Sequence, residues 1–238
     1  MLHSTVQSQN HFLGILHSKV IQRLVPHLQE ICFSAGQILH DTDDFIDTVY
    51  FPVDTLVSLE YIMEDGFSAS AALIGNEGIV GASRIMNRGL SVNRAVVVTS
   101  GHFYQLSGKV FEDEFNKDPE LINLILTYTH TILHQMGITA ACNRHHTIVQ
   151  QLSRWLLLSF DHNSIDDLPI TQERIANVLG VRREGITDAV GSLGKKGIIE
   201  HRRGHIRLLN RGKLKKSSCE CYDAIRKQSD KHCRRQSN

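Results

Sequence analysis

The sequence lacks any run of about 18 consecutive apolar residues, so no segment reads as a membrane-spanning helix. No charged stretch followed by an apolar core opens the chain, and no secretory leader is expected. Cysteine is sparse: Cys32, Cys142, Cys219, Cys221 and Cys233 are odd in number and have no framework spacing. Such usage suits a reducing compartment rather than a disulfide scaffold, so a cytoplasmic protein is expected. Catalytic signatures are missing too. Gly75, Gly78 and Gly81 form a glycine-rich stretch without the Gly-Lys-Ser/Thr ending of a phosphate loop. No nucleophile elbow and no His-Glu-x-x-His pair occurs, and the chain is not expected to be an enzyme. Internal repeats are also lacking.

What is present is unevenly distributed. The formal net charge of +1 conceals 10 Lys+Arg against 19 Asp+Glu in residues 1–181, and 16 against 6 in residues 182–238. An acidic body with a basic C-terminal quarter suggests a polyanion-binding module joined to a part that does not touch the polyanion. The 238 residues, 41% of them hydrophobic, leave room for one large or two modest domains with proper cores.

Hydrophobic periodicity changes twice. Phe12, Leu13, Leu16, Val20, Ile21, Leu24 and Leu28 fall at helical spacing, and Pro26 should end or kink that helix. From Ile31 to about Leu106, short runs rich in Val, Ile, Phe, Tyr and Thr alternate with Gly, Asp, Asn and Ser. Val49 to Phe51, Leu56 to Tyr61, Ser70 to Ile74 and Ala95 to Val98 are the clearest strands. Asp65-Gly66 is the strongest hairpin signal. A sandwich or barrel is expected over this stretch. From Pro119 a long helix is expected, with a seam of Ile122, Ile125, Thr129, Ile132 and Met136 spaced 3, 4, 3, 4 and suited to a twin subunit. A second helix carries Val149, Leu152, Trp155, Leu156 and Leu157, and residues 161–167 read as a polar loop. The Lys/Arg/Ser-rich stretch from 213 to 238 is expected to be a basic, partly disordered tail.

The most informative stretch runs from Leu168 to Asn210. Thr171 can cap a short helix bearing Ile175, Ala176, Val178 and Leu179. Gly180 supplies a tight turn, and a second helix follows with Ile186, Ala189, Val190 and Leu193 on its inner face. Two short helices joined by a glycine turn, the second basic at its start, are what a helix-turn-helix requires. Arg182, Arg183 and Glu184 stand where the second helix would meet base edges in a major groove. There Arg183 can donate two hydrogen bonds to guanine, and Glu184 can accept one from cytosine. Residues 197–208 then read as strand, basic turn and strand, a wing that sets Arg202 and Arg203 beside a phosphate backbone.

Residues 171–184, Thr-Gln-Glu-Arg-Ile-Ala-Asn-Val-Leu-Gly-Val-Arg-Arg-Glu, closely resemble the helix-turn-helix of the Crp/Fnr regulators. The stretch 36–61 resembles that family's early β-roll strands, and the helix from Pro119 its dimerisation helix. The motifs Ala141-Cys142-Asn143-Arg144 and Cys219-Glu220-Cys221-Tyr222 are similar to those of a subgroup without an assigned effector. The resemblance implies an α+β chain. Its parts are a cyclic-nucleotide-binding-like β-roll (1–117), a dimerisation helix (118–146), a winged helix-turn-helix (147–212) and the tail. It implies a cytoplasmic homodimer that binds palindromic double-stranded DNA and regulates transcription, with RNA polymerase as a further partner. The DNA-contact set it implies is Thr171, Gln172, Arg182, Arg183, Glu184, Thr187, Asp188, Arg202 and Arg203. Arg182 stands where relatives carry a capping Ser or Thr, Gly185 lies inside the recognition helix, and Asp188 replaces a basic or neutral residue.

Nucleotide-binding members of the family hold the ribose with a Gly-Glu pair and the phosphate with an Arg followed by a small residue. Here Gly81 matches the glycine, Ala82 takes the glutamate position, and Arg94-Ala95 follows at a longer spacing. Gly81, Arg94 and Ala95 are the candidate ligand set; the other reading of Arg94 is a strand-end arginine paired with a carboxylate. Histidines raise metal and haem readings: His130 with His134, Cys142 with His145 and His146, and Cys219, Cys221, His232 and Cys233. His130 and His134, at i, i+4, could face one metal but lack a further ligand at matching spacing, and the C-terminal cysteines lack a paired C-x-x-C, so no metal site is expected. Two other functions remain open: a small-molecule sensor acting through protein partners, and a haem or redox sensor. Effector, cofactor, operator and sign of regulation are not given by these residues.

Overall fold

The computed structural model describes residues 2–86, 89–162 and 166–234. The chain opens with helices α1 (Leu2–Gln9), α2 (His11–Gly14) and α3 (Ser18–Leu24). Strands β1 (Gln29–Phe33), β2 (Ile38–His40), β3 (Thr48–Pro52), β4 (Val57–Ile62), β5 (Ser68–Ile74), β6 (Arg94–Val97) and β7 (Gly101–Ser107) follow. Then come α4 (Gly108–Lys117), α5 (Pro119–His145), α6 (Ile148–His162), β8 (Asp167–Leu168), α7 (Gln172–Leu179) and α8 (Arg183–Lys195). The described chain closes with β9 (Ile199–Arg202), β10 (His205–Leu208), α9 (Arg211–Ser217) and α10 (Cys221–Arg234). Two compact units separate. One takes in the chain through Leu59, Leu73–Leu133 and the chain from Ser229; the other takes Glu60–Ala72 and His134–Gln228. No helix among the described residues is long and apolar enough to cross a membrane.

The N-terminal strands form two sheets, in the orders β1-β7-β3 and β2-β6-β4-β5. All four expected strands are present, and Asp65-Gly66 makes the β4–β5 turn with Gly66 at φ +83°. The single helix expected over residues 12–28 is instead α2, α3 and a 3-10 turn at Val25–His27. Asn10 explains the entry into α2. Its buried side chain accepts from Leu13 N (3.0 Å) and donates to the carbonyls of Pro52 (2.8 Å) and Gly78 (3.1 Å). His17 caps α3 through a bond from Lys19 N. The apolar residues keep their inward role, because Phe12, Leu13, Val20 and Leu24 join Val49, Phe51, Leu106 and Phe111 in one core.

Helix α5 contributes Leu121, Leu124, Ile125 and Tyr128 to that core. Tyr128 is buried, its hydroxyl donating to Ile79 O (2.8 Å) and accepting from Ile79 N (3.1 Å). Burial pushes the phenol far above its ordinary pKa, so it stays protonated. Tyr128→Phe strands both backbone groups of Ile79 and is expected to cost about 1–3 kcal/mol. Urea unfolding measures this; an unchanged midpoint would contradict the role assigned to the hydroxyl.

Two residues of the seam read from the sequence face inward. Ile125 is 1% exposed and belongs to its own unit's core, and Ile132 packs against that core. The large apolar residues that α5 exposes are Leu126 (58%) and Leu133 (61%). With half-buried Ile122, Thr129 and Met136 they form a stripe spaced 4, 3, 4, 3.

The stretch expected to be a partly disordered tail is helical through Arg234. Leu214, Tyr222 and Ile225 supply buried anchors for α9 and α10. Tyr222 Oη donates to Asp161 (2.9 Å), and Arg211 pairs with the same carboxylate. The polar segment 161–167 is likewise shorter than expected, since α6 extends to His162 and Asp167 lies in β8.

Candidate nucleic-acid interface

Helix α7 starts because Thr171 Oγ1 accepts from Arg174 N (3.2 Å), satisfying one of the free N–H groups of its first turn. It ends at Gly180, which adopts φ +63°, ψ +36°, a left-handed cap that costs a glycine little. The Gly180 N–H returns to Asn177 O (3.2 Å) and that of Val181 to Ala176 O (3.0 Å), closing the turn. Helix α8 follows with Ile186, Ala189, Val190 and Leu193 buried, and α6 packs against it. Gly185 sits where a Cβ would meet Ile148 Cδ1 at 2.7 Å, so the residue that weakens the helix also admits α6.

With its apolar face turned inward, α8 exposes Arg182, Arg183, Glu184, Thr187 and Asp188. Arg182 occupies the N-cap without a side-chain bond to the helix. Thr187 Oγ1 donates to Gln172 Oε1 (2.8 Å) and Arg183 O (3.1 Å). Gln172 Nε2 lies 3.3 Å from His201 Nε2 on β9. Thus Gln172, Thr187 and His201 tie the start of α7, the middle of α8 and the wing together. His201 was not singled out in the sequence, because its role depends on a pairing across 29 positions.

The wing is a three-stranded sheet in the order β8-β10-β9, one strand more than expected. Ile206 pairs with His201 and with Leu168, leaving Arg203 and Gly204 at the hairpin tip with Gly204 at φ +76°. Arg202 is bound to Glu200 at 3.0–3.1 Å but stays 72% exposed, a pair weak enough to yield to a phosphate. Arg174 on α7 is engaged by the buried carboxylate of Glu60 at 2.6 Å.

Residues 150–217 match the model of the Crp-like helix-turn-helix domain. Solved structures extend the likeness to most of the chain. A putative Crp/Fnr-family transcriptional regulator from Eubacterium rectale superposes with a TM-score of 0.65 at 16% identity, over 86% of this chain and 95% of that one. FixK2 from Bradyrhizobium japonicum gives 0.66 at 16%, over 81% and 98%. A CRP/FNR-family transcriptional regulator from Thermus thermophilus gives 0.62 at 22%, over 79% and 97%. The chain shares the fold of these structures, and its residues 150–217 match a Crp-like helix-turn-helix domain. No curated protein matches it in sequence.

Arg94 has the carboxylate partner of the other reading weighed for it. Arg94 opens β6 and grips Asp41 with both arms, Nε to Oδ1 at 2.9 Å and an Nη to Oδ2 at 2.5 Å. The guanidinium bond holds the Asp41 carboxyl below its ordinary pKa. Ala95 is buried opposite His40, and Gly81 has φ +92° with Thr48 O 3.0 Å from where a Cβ would stand.

The histidine and cysteine groups also sort differently. His130 and His134 join no metal-competent cluster among the described residues. Cys142 and His146 meet Cys219 and Cys221, whereas the side chains of His232 and Cys233 lie outside the described residues. The expectation of no metal site rested on reading these two motifs apart.

Proposed function

We propose that this protein is a cytoplasmic transcription regulator that binds a palindromic DNA duplex as a homodimer. Residues 1–117 serve as sensor, 118–146 as dimer helix and 147–212 as DNA-binding domain. The observation that carries this reading is the exposed first turn of α8. Arg183 and Glu184 project from a helix whose opposite face is buried, between a capped α7 and a wing tipped by Arg202 and Arg203. Arg183 and Glu184 read bases; Thr171, Gln172, Arg182, Thr187 and Asp188 border them; the wing arginines meet phosphates. The 4-3-4-3 stripe of α5 is the face offered to a second copy. A signal reaching the sensor shifts the paired α5 helices and so the spacing of the two recognition helices. Binding strengthens when these sit about 34–36 Å apart, one helical turn of DNA. RNA polymerase is a further partner in this reading. The Arg94–Asp41 fork argues against a cyclic nucleotide as effector, since the phosphate would have to displace a bidentate carboxylate.

Fluorescence anisotropy on a random-sequence duplex tests the electrostatic half of the reading. Affinity should fall linearly on a log–log plot against salt. Arg202→Ala should weaken binding to all sequences alike and flatten the slope by about one. A slope unchanged in that variant would remove the wing from the interface.

A further inference from the structure

The C-terminal end of α5 and the connection between α9 and α10 bring four ligand-capable side chains together. One donor atom each from Cys142, His146, Cys219 and Cys221 lies within 4.8 Å of every other. Cys142 and His146 stand four positions apart and are joined by the His146 N–H to Cys142 O bond of 3.0 Å, so both project from one turn. Cys142 Sγ lies 3.6 Å from Cys219 Sγ, and Cys221 Sγ lies 3.7 Å from His146 Nδ1. Zinc–sulfur bonds of about 2.3 Å and zinc–nitrogen bonds of about 2.0–2.1 Å make a tetrahedron with S···S edges of about 3.8 Å and S···N edges of about 3.6 Å. The Cys142–Cys219 and Cys221–His146 separations match those edges, and the other donor pairs lie within 4.8 Å.

We propose that Cys142, His146, Cys219 and Cys221 form a structural zinc site. Three thiolates and one imidazole complete a four-coordinate shell with no open position, as in structural rather than catalytic zinc sites. Thiolate donors also disfavour magnesium and calcium, which take oxygen. Loading exchanges three thiol protons for one divalent cation, leaving the centre with a charge of −1. The buried guanidinium of Arg154 answers that charge. It is 4% exposed, interacts electrostatically with Cys142 and Cys221, and its Nε has no hydrogen-bond partner among the described residues. His146 Nε2 faces the Glu220 carboxylate at 3.4 Å, the outer contact that orients a ligating imidazole and leaves Nδ1 for the metal. Tyr222, held by Asp161, seats the loop before any metal arrives. A disulfide between two of these thiols would leave the third thiol and the imidazole without a role. The metal fastens the α9–α10 pair to the corner between α5 and α6.

The test uses the full chain, reduced and purified without chelator. Metal analysis should find one zinc per chain. Metal-free protein titrated anaerobically with cobalt(II) should develop thiolate charge-transfer and tetrahedral ligand-field bands that saturate at one equivalent and disappear on adding zinc. Cys142→Ser and Cys219→Ser should weaken cobalt binding by more than the roughly 10–100-fold that loss of an outer partner costs. Cys32→Ser, which removes an exposed thiol remote in sequence, should leave the bands intact. Chelation of the parent should lower its Tm, and zinc should restore it. Absence of cobalt–thiolate bands in reduced, folded, metal-free parent would overturn the site. So would one zinc per chain retained in Cys142→Ser, or a Cys142–Cys219 disulfide as the resting state under reducing conditions. All these readouts are independent of DNA, so failure here leaves the regulator reading standing.

Discussion

Arg183→Ala is expected to lower affinity for a selected operator by about 5–150-fold, the loss of roughly 1–3 kcal/mol of base discrimination. Arg183 is exposed at the first position of α8 and makes no ion pair with a described residue, so its removal should leave the helix packing untouched. The buried residues Ile186, Ala189, Val190 and Leu193 hold α8 in place without it. Binding to random duplex should fall much less, since most of that affinity comes from phosphates. Arg183→Lys is the sharper comparison: it keeps the charge but loses the planar fork. If all three proteins bind operator and random duplex with the same ratio, Arg183 does not read a base.

Leu133→Asp is expected to turn the proposed dimer into a monomer. Leu133 and Leu126 are more than half exposed, so a carboxylate there costs the folded chain little while placing like charges across a self-pairing face. Palindrome affinity should drop by about 10²–10⁴-fold, because the second half-site is no longer bound intramolecularly. Far-UV circular dichroism should be unchanged. Ile125→Asp should behave differently: it buries a charge in the chain's own core and is expected to unfold the protein. Sedimentation velocity separates the two effects. A Leu133→Asp protein that remains a dimer with unaltered DNA affinity would move the interface elsewhere.

The helix-turn-helix was legible because each of its parts is local. Thr171 caps its own helix, Gly180 turns its own corner, and the apolar spacing of Ile186 to Leu193 needs no distant partner. The expected seam on α5 includes Ile125 and Ile132, which the structure turns toward the core. That helix carries Leu121, Leu124, Ile125 and Tyr128 on its buried side and Leu126 and Leu133 on the exposed side. Apolar residues on both sides leave periodicity unable to say which face turns inward. The first helix was over-extended because Asn10 acts through carbonyls at positions 52 and 78, which no local pattern reveals. Helicity of the last segment escaped for the same reason: its composition is that of a solvated tail, and Tyr222 anchors it to Asp161, 61 residues earlier. The cysteine cluster joins positions 77 residues apart, so neither half carries a full ligand set by itself.

The central claim is that the chain reads a specific duplex as a dimer, and selection from a random DNA library tests it most directly. The parent protein, at about 150 mM salt so that phosphate contacts alone do not dominate, should enrich a palindrome with half-sites about one helical turn apart. Recovery of sequences without a shared motif, bound only in a salt-sensitive way, would contradict it.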